Sequence, residues 1–140
     1  MRAFDSLSRI RNGVFLAGAL IAGTAGAAQA ASVQFQIVNS FGSSITLDSA
    51  SCTSGSISAP FSISNGATAT FTGSTSGAST LCTVRYQQGI YGCQFQVQVS
   101  SVGGFASTNA YKGSGGKPSC VKLAEGSLGT GSYAGQFRMQ

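Results

Sequence analysis

The sequence predicts an all-β protein: a small antiparallel β-sandwich of about seven to nine strands, held by two disulfides and preceded by an export signal. Three observations carry this expectation. Apolar and polar residues alternate in short runs from Val33 onward, the period of a strand with one buried face. Gly, Pro and Asn-Gly punctuate those runs. No segment beyond Ala30 places apolar residues at helical spacing over three turns.

The first element is the signal, expected at Met1–Ala30. Arg2, Arg9 and Arg11 make a basic start with one acid, Asp5. A short apolar core follows from Val14 to Ala22, and Ala28-Gln29-Ala30 fits the small-x-small pattern before a cleavage point. Even extended to Ala28, the apolar stretch is about 15 residues, short of the roughly 20 that a membrane-spanning helix needs. The remainder, Ala31–Gln140, has the size of one domain. A secreted or periplasmic location follows, of bacterial type.

The strands follow in order. Val33, Phe35 and Ile37 alternate with Gln34 and Gln36, and Asn39-Ser40-Phe41-Gly42 breaks the run. Ile45 and Leu47 form a second set, and Phe61 and Ile63 a third. Asn65-Gly66 is a strong turn pair. Ala67, Ala69 and Phe71 alternate with threonines, and a loop is expected from Gly73 to Thr80. Cys82, Val84 and Tyr86 share one face, so Tyr86 is expected in the core. After a turn at Gly89, Phe95, Val97 and Val99 alternate with Gln94, Gln96 and Gln98, the clearest strand of all. Gly103-Gly104 marks a turn, Phe105–Tyr111 a strand, and Gly113–Ser119 a loop. Val121 and Leu123 suggest a short strand, and Tyr133–Met139 a last one with Phe137 inward.

All four cysteines, Cys52, Cys82, Cys93 and Cys120, lie beyond the signal. An even count in an exported chain reads as two disulfides. Three pairings are open; Cys52–Cys82 with Cys93–Cys120 is preferred, each closing a loop worth about 3–4 kcal/mol in the chain-entropy model. A four-thiolate zinc site lacks any C-x-x-C pair and is disfavoured.

Composition excludes much chemistry. The chain has no histidine, which removes the commonest general base and any Ser-His or Cys-His arrangement. Beyond the signal only Asp48 and Glu125 are acidic, too few for a calcium cluster and a poor basis for a paired-carboxylate hydrolase. The S-x-x-K spacings at Ser114–Lys117 and Ser119–Lys122 lack the partner motifs of a Ser-Lys nucleophile. Gly113-Ser114-Gly115-Gly116-Lys117-Pro118 lacks the earlier glycine of a phosphate loop and has proline where Ser or Thr would hold magnesium. No enzyme and no cofactor is expected. Arg85, Lys112, Lys117, Lys122 and Arg138 oppose the two acids for a net charge of +3 beyond the signal, too thin for a nucleic-acid footprint.

Two features suit binding. Gln34, Gln36, Gln94, Gln96 and Gln98 line strand faces, and amide rows can hydrogen-bond a partner; a merely solvated outer face is the simpler reading. Tyr91 and Tyr111 sit near turns, where an amphipathic ring suits an interface. With Lys112 and Lys117 of the mildly basic C-terminal region, Tyr91, Tyr111, Gln94, Gln96 and Gln98 make the candidate ligand surface.

The stretch from Val33 to Tyr86 carries one more signal. It opens with a strand ending in Asn39-Ser40 and runs through Ile45-Thr46-Leu47, Gly55 and Pro60-Phe61-Ser62-Ile63-Ser64-Asn65-Gly66. It closes on Thr70-Phe71-Thr72 and Cys82-Thr83-Val84-Arg85-Tyr86. This cadence resembles the aegerolysin family and related small bacterial crystal-type proteins. The resemblance covers about half of Ala31–Gln140. It implies a sandwich that binds membrane lipid and assists a pore-forming partner. The chain departs from the family pattern in having no tryptophan, a basic balance and a signal, so no lipid-site residue is carried over. Three readings follow: a secreted binding protein for membrane lipid or cell-surface glycan, a structural or adhesive envelope protein, and a secreted hydrolase inhibitor with a protein partner.

Overall fold

The structure, a computed structural model, describes residues 30–140. The expected signal therefore lies, but for Ala30, outside the described residues. The described chain is all β, with ten strands. They are β1 (Ser32–Asn39), β2 (Ile45–Cys52), β3 (Ser56–Ile57), β4 (Ser62–Ile63), β5 (Thr68–Ser74), β6 (Thr80–Gln88), β7 (Tyr91–Ser100), β8 (Gly103–Lys112), β9 (Cys120–Gly129) and β10 (Ser132–Met139). Two five-stranded sheets face each other, the first ordered β3-β5-β1-β10-β9 and the second β4-β2-β6-β7-β8.

Alternation drives this packing. In β1, Val33, Phe35 and Ile37 are buried, while Gln34 and Gln36 are half-buried on the far side. In β7, Phe95, Val97 and Val99 are buried and the glutamines between them face away. Phe137 of the first sheet bridges the layers, its ring 6.1 Å from Phe35 and 5.1 Å from Phe95. Each buried phenylalanine contributes about 1.5–3 kcal/mol by leaving water. Tyr86 is fully buried, as parity predicts, and its hydroxyl donates to the Pro60 carbonyl at 2.6 Å. Asn39 is also fully buried. Its amide donates to the Ser43 and Ile63 carbonyls at 2.8 Å each and accepts from the Phe41 N–H at 2.9 Å. That one side chain ties β1 to the following loop and to β4.

The disulfides are Cys52–Cys82 and Cys93–Cys120, the preferred pairing, and the four-thiolate alternative is thereby removed. They do different jobs. Cys52 and Cys82 are direct partners on neighbouring strands of the second sheet. Cys93 on β7 and Cys120 on β9 join the two sheets.

Several expectations change in detail. The strand count exceeds seven to nine by β3, which is only two residues long, too short to show a period. The sandwich is antiparallel except where β1 pairs with β10 in parallel, since the chain's first and last strands meet at the centre of the first sheet. Asn65-Gly66 turns the chain between sheets rather than closing a hairpin, because β4 and β5 lie in different sheets; Gly66 has φ 79°. Phe61 does not share the buried face of Ile63 and is 76% exposed. The turn expected at Gly103-Gly104 falls at Ser101-Val102, and the two glycines open β8. The loop expected from Gly73 to Thr80 shrinks to residues 75–79, since β5 runs through Ser74 and β6 starts at Thr80. β9 is ten residues long rather than short. It is an edge strand that buries little, so its sequence has no apolar period to read.

Candidate functional site

The strands place polar groups on the outer face of the second sheet, and two bulges decide which ones meet. The β2–β6 register passes from Leu47–Tyr86 to Ser49–Arg85, so Asp48 is an extra residue. The β7–β8 register passes from Gly92–Lys112 to Cys93–Ala110, so Tyr111 is an extra residue too. Bulges re-aim side chains. Here they aim Tyr111 and Asp48 at each other across the sheet, and the Tyr111 hydroxyl donates to Asp48 Oδ2 at 2.8 Å.

To reach Asp48 on β2, the Tyr111 ring leaves β8 and passes over β7. Gly92 lets it pass: a Cβ there would lie 2.7 Å from the ring. Two cations attend the ring. The Arg85 guanidinium carbon lies 4.9 Å from its centroid and Lys112 Nζ 5.5 Å, and such contacts are worth about 0.5–1 kcal/mol at exposed sites. Burial, and then the hydrogen bond and charge of Asp48, push the Tyr111 phenol well above its usual range, with Arg85 opposing. The phenol therefore stays a donor at ordinary pH.

The glutamine row continues the network. Arg85 Nε donates to Gln94 Oε1 at 2.8 Å. Gln94 Nε2 reaches Asn109 Oδ1 at 3.4 Å, and Gln96 Nε2 donates to Thr83 Oγ1 at 3.1 Å while its Oε1 accepts from Ser107. Lys112 Nζ donates to Gln87 Oε1. Beside Tyr111 and Lys112 opens a groove of about 480 Å³, lined also by Gly113, Ser114, Lys117 and Pro118.

Of the candidate surface residues, Tyr111, Lys112 and Lys117 share this groove, Gln94 is linked to it through Arg85, and Gln96 bonds Thr83 and Ser107 in a separate set. Gln98 sits farther along β7, by Ser100 and Val102 at the other end. Tyr91 does not join the surface; it is half-buried, with its ring 5.5 Å from Phe41. The five glutamines do not form one row. Gln34 and Gln36 lie on the outer face of the first sheet, Gln94, Gln96 and Gln98 on that of the second. Asp48 and Glu125 do not meet. Glu125, on β9 of the first sheet, pairs with Lys122 and accepts from the Ala106 N–H, and Lys122 donates to the Ala106 carbonyl at 3.2 Å. The pair thus occupies both backbone groups of Ala106 on edge strand β8. Glu125 is held below its usual carboxylate range, chiefly by Lys122 and then by the Ala106 N–H. Among the described residues no three of His, Cys, Asp and Glu gather as a metal ligand set, and no helix is long and apolar enough to cross a membrane.

Sequence reasoning missed Arg85, Asp48 and Gly92 as site residues. Arg85 was open to discovery, since its neighbours Val84 and Tyr86 point inward and leave it on the outer face. Gly92 interrupts the outward glutamine row at the residue before Cys93, and that gap was the available signal.

No protein-family model matches the chain. No curated protein matches it either. Among solved structures the fold is similar to that of the lipid binding protein Nakanori, with a TM-score of 0.61 and 10% identity over 79% of this chain and 71% of that one. At that identity the likeness establishes a shared fold.

Proposed function

We propose that the protein is a non-enzymatic binding protein of an oxidising compartment that engages membrane lipid through the outer face of its second sheet. The observation that carries this reading is the Tyr111 ring held over Gly92 with Arg85 and Lys112 close to it, beside a groove of about 480 Å³. An aromatic ring among cations suits the headgroup level of a membrane. Ile90, 64% exposed in the hairpin next to this surface, adds an apolar contact.

The sandwich shared with a lipid binding protein supports the reading, as does the aegerolysin-like cadence of Val33–Tyr86. Within that cadence Asn39 and Tyr86 are buried framework residues, and of its quoted residues only Arg85 is assigned to the lipid surface. A binding rather than a catalytic role is supported by the absence of histidine and the distance between the two acids, which lie on different sheets. The two disulfides suit an extracellular or periplasmic protein. A glycan reading has less to draw on, because Gln94 and Gln96 spend their amides within the sheet.

Flotation of the oxidised protein with neutral, sphingolipid-containing and anionic vesicles tests this reading. Co-flotation with at least one composition is expected. Absence of the protein from all three vesicle fractions would overturn it.

A further inference from the structure

We infer that Arg85, Lys112 and Lys117 form an anion site around Tyr111, and that it takes the phosphate of a net-negative lipid headgroup. This deepens the lipid reading and rests on it for the source of the phosphate. The site itself rests on three features of the sheet face.

The first is unspent donors. Arg85 commits Nε to Gln94, and its two terminal NH2 groups have no protein acceptor among the described residues. Lys112 has one protein acceptor, Gln87, and an ammonium has three N–H groups. The guanidinium is fixed on two sides, by Gln94 at Nε and by the ring beneath it. A pre-positioned planar fork suits a phosphate's paired oxygens.

The second is charge. Arg85 and Lys112 both lie within 5.5 Å of the Tyr111 ring centroid, and the groove that Tyr111 and Lys112 line is also lined by Lys117. The one carboxylate nearby, Asp48, accepts from the Tyr111 hydroxyl and leaves Arg85, Lys112 and Lys117 in excess. Like charges held together are costly at short range, and a bound anion would offset that cost. A zwitterionic headgroup brings its own cation into the cluster, so a net-negative headgroup is favoured.

The third is room. The groove is of the size range of small-ligand pockets. Gly113 and Gly116 line it beside Lys112 and Lys117, leaving part of its wall bare backbone. The loop holds its own shape through paired backbone hydrogen bonds between Ser114 and Lys117, at 3.0 and 3.1 Å, so the groove does not depend on a ligand to form.

The test combines two readouts on the oxidised protein. Inorganic phosphate is titrated while backbone amide resonances are followed, and vesicle affinity is measured on phosphatidylcholine with and without phosphatidylglycerol. Phosphate is expected to shift Gly92, Tyr111 and Lys112, and phosphatidylglycerol to strengthen vesicle binding. Arg85→Gln and Lys112→Gln are each expected to weaken anionic-vesicle binding about fivefold, the effect of one basic side chain at a charged surface. Arg138→Gln removes the same charge from the outer face of the first sheet, between the buried Phe137 and Met139, and is expected to leave affinity unchanged. Phosphate shifts without vesicle binding would uphold the site and overturn the lipid as its source. Vesicle binding that ignores Arg85→Gln and Lys112→Gln, or that Arg138→Gln weakens as much, would overturn the site while leaving the lipid reading standing.

Discussion

At the end of the sandwich where β6 turns into β7, the second sheet's outer face carries Arg85, Lys112 and Asp48 with Tyr111, and Lys117 lies in the adjoining loop. At the opposite end, where β7 turns into β8 and β9 into β10, residues 52–57, 74–80, 99–104 and 127–132 include no charged side chain. That uncharged end is not short of polar atoms. Thr80 Oγ1 donates to the Ser54 carbonyl at 2.6 Å, Ser54 and Thr75 share a hydrogen bond of 2.6 Å, and Thr75 Oγ1 accepts from the Gly77 N–H. Some hydroxyls there close loops, and those left free carry no charge. At the other end Arg85 and Lys112 commit one side-chain donor each and keep the rest. The difference teaches that polar richness and clustered charge are separate properties: the first is everywhere in this Ser/Thr-rich chain, and of the two ends only one carries the second. The uncharged end also exposes Val102 at 95% and Leu128 at 58%, but its grooves, about 210 and 270 Å³, are smaller and hold no charge.

The largest expected effect comes from the disulfides, one at each end. Their separations are 30 and 27 residues, so replacing either pair by serine should cost about 3–4 kcal/mol in urea unfolding. Only the Cys93–Cys120 replacement should also alter phosphate-induced shifts, because Cys93 adjoins Gly92 and ties the sheets together beneath the site. Loss of those shifts in the Cys52–Cys82 replacement instead would blur the distinction between the ends.

Next comes Gly92→Ala. The new Cβ would displace the far end of the Tyr111 side chain rather than backbone, so the melting temperature should hardly move. The Tyr111–Asp48 bond should break, and anionic-vesicle affinity should fall about fivefold, as for the loss of one well-placed cation. A stable variant with full affinity would separate the ring from binding.

A smaller effect is expected at the Lys122–Glu125 clasp. Glu125 has a depressed carboxyl pKa in the folded protein, so its contribution to stability is present above the unfolded-state pKa and is lost as pH falls through the folded one. The melting-temperature difference between the protein and Glu125→Gln should therefore be constant near neutrality and vanish on acidification below about pH 4. A difference that grows with acid would contradict the assignment. Smallest of all, Val102→Ser and Leu128→Ser should leave vesicle affinity unchanged.

How much of this was legible in the sequence depends on which residues obeyed the period of two. Phe95, Val97 and Val99 announced their face, and parity alone put Tyr86 in the core. Parity also left Asp48 and Tyr111 facing outward, but not the bulge at each that brings the two together. Their meeting across 63 residues also needed the strand order, which local alternation does not encode. Lys112 and Lys117 were found by composition and Arg85 was passed over, although its face was readable. β9 was underestimated because an exposed edge strand has no buried side to pattern.

The most direct measurement of the central claim is paramagnetic broadening from a chelate on the lipid headgroup, recorded with the oxidised protein on anionic vesicles. Broadening concentrated at Ile90, Gly92, Tyr111, Lys112 and Lys117, with Val102, Leu128 and Thr130 untouched, is the predicted result. Broadening centred on Val102 and Leu128 would mean that the uncharged end meets the membrane, and would contradict it.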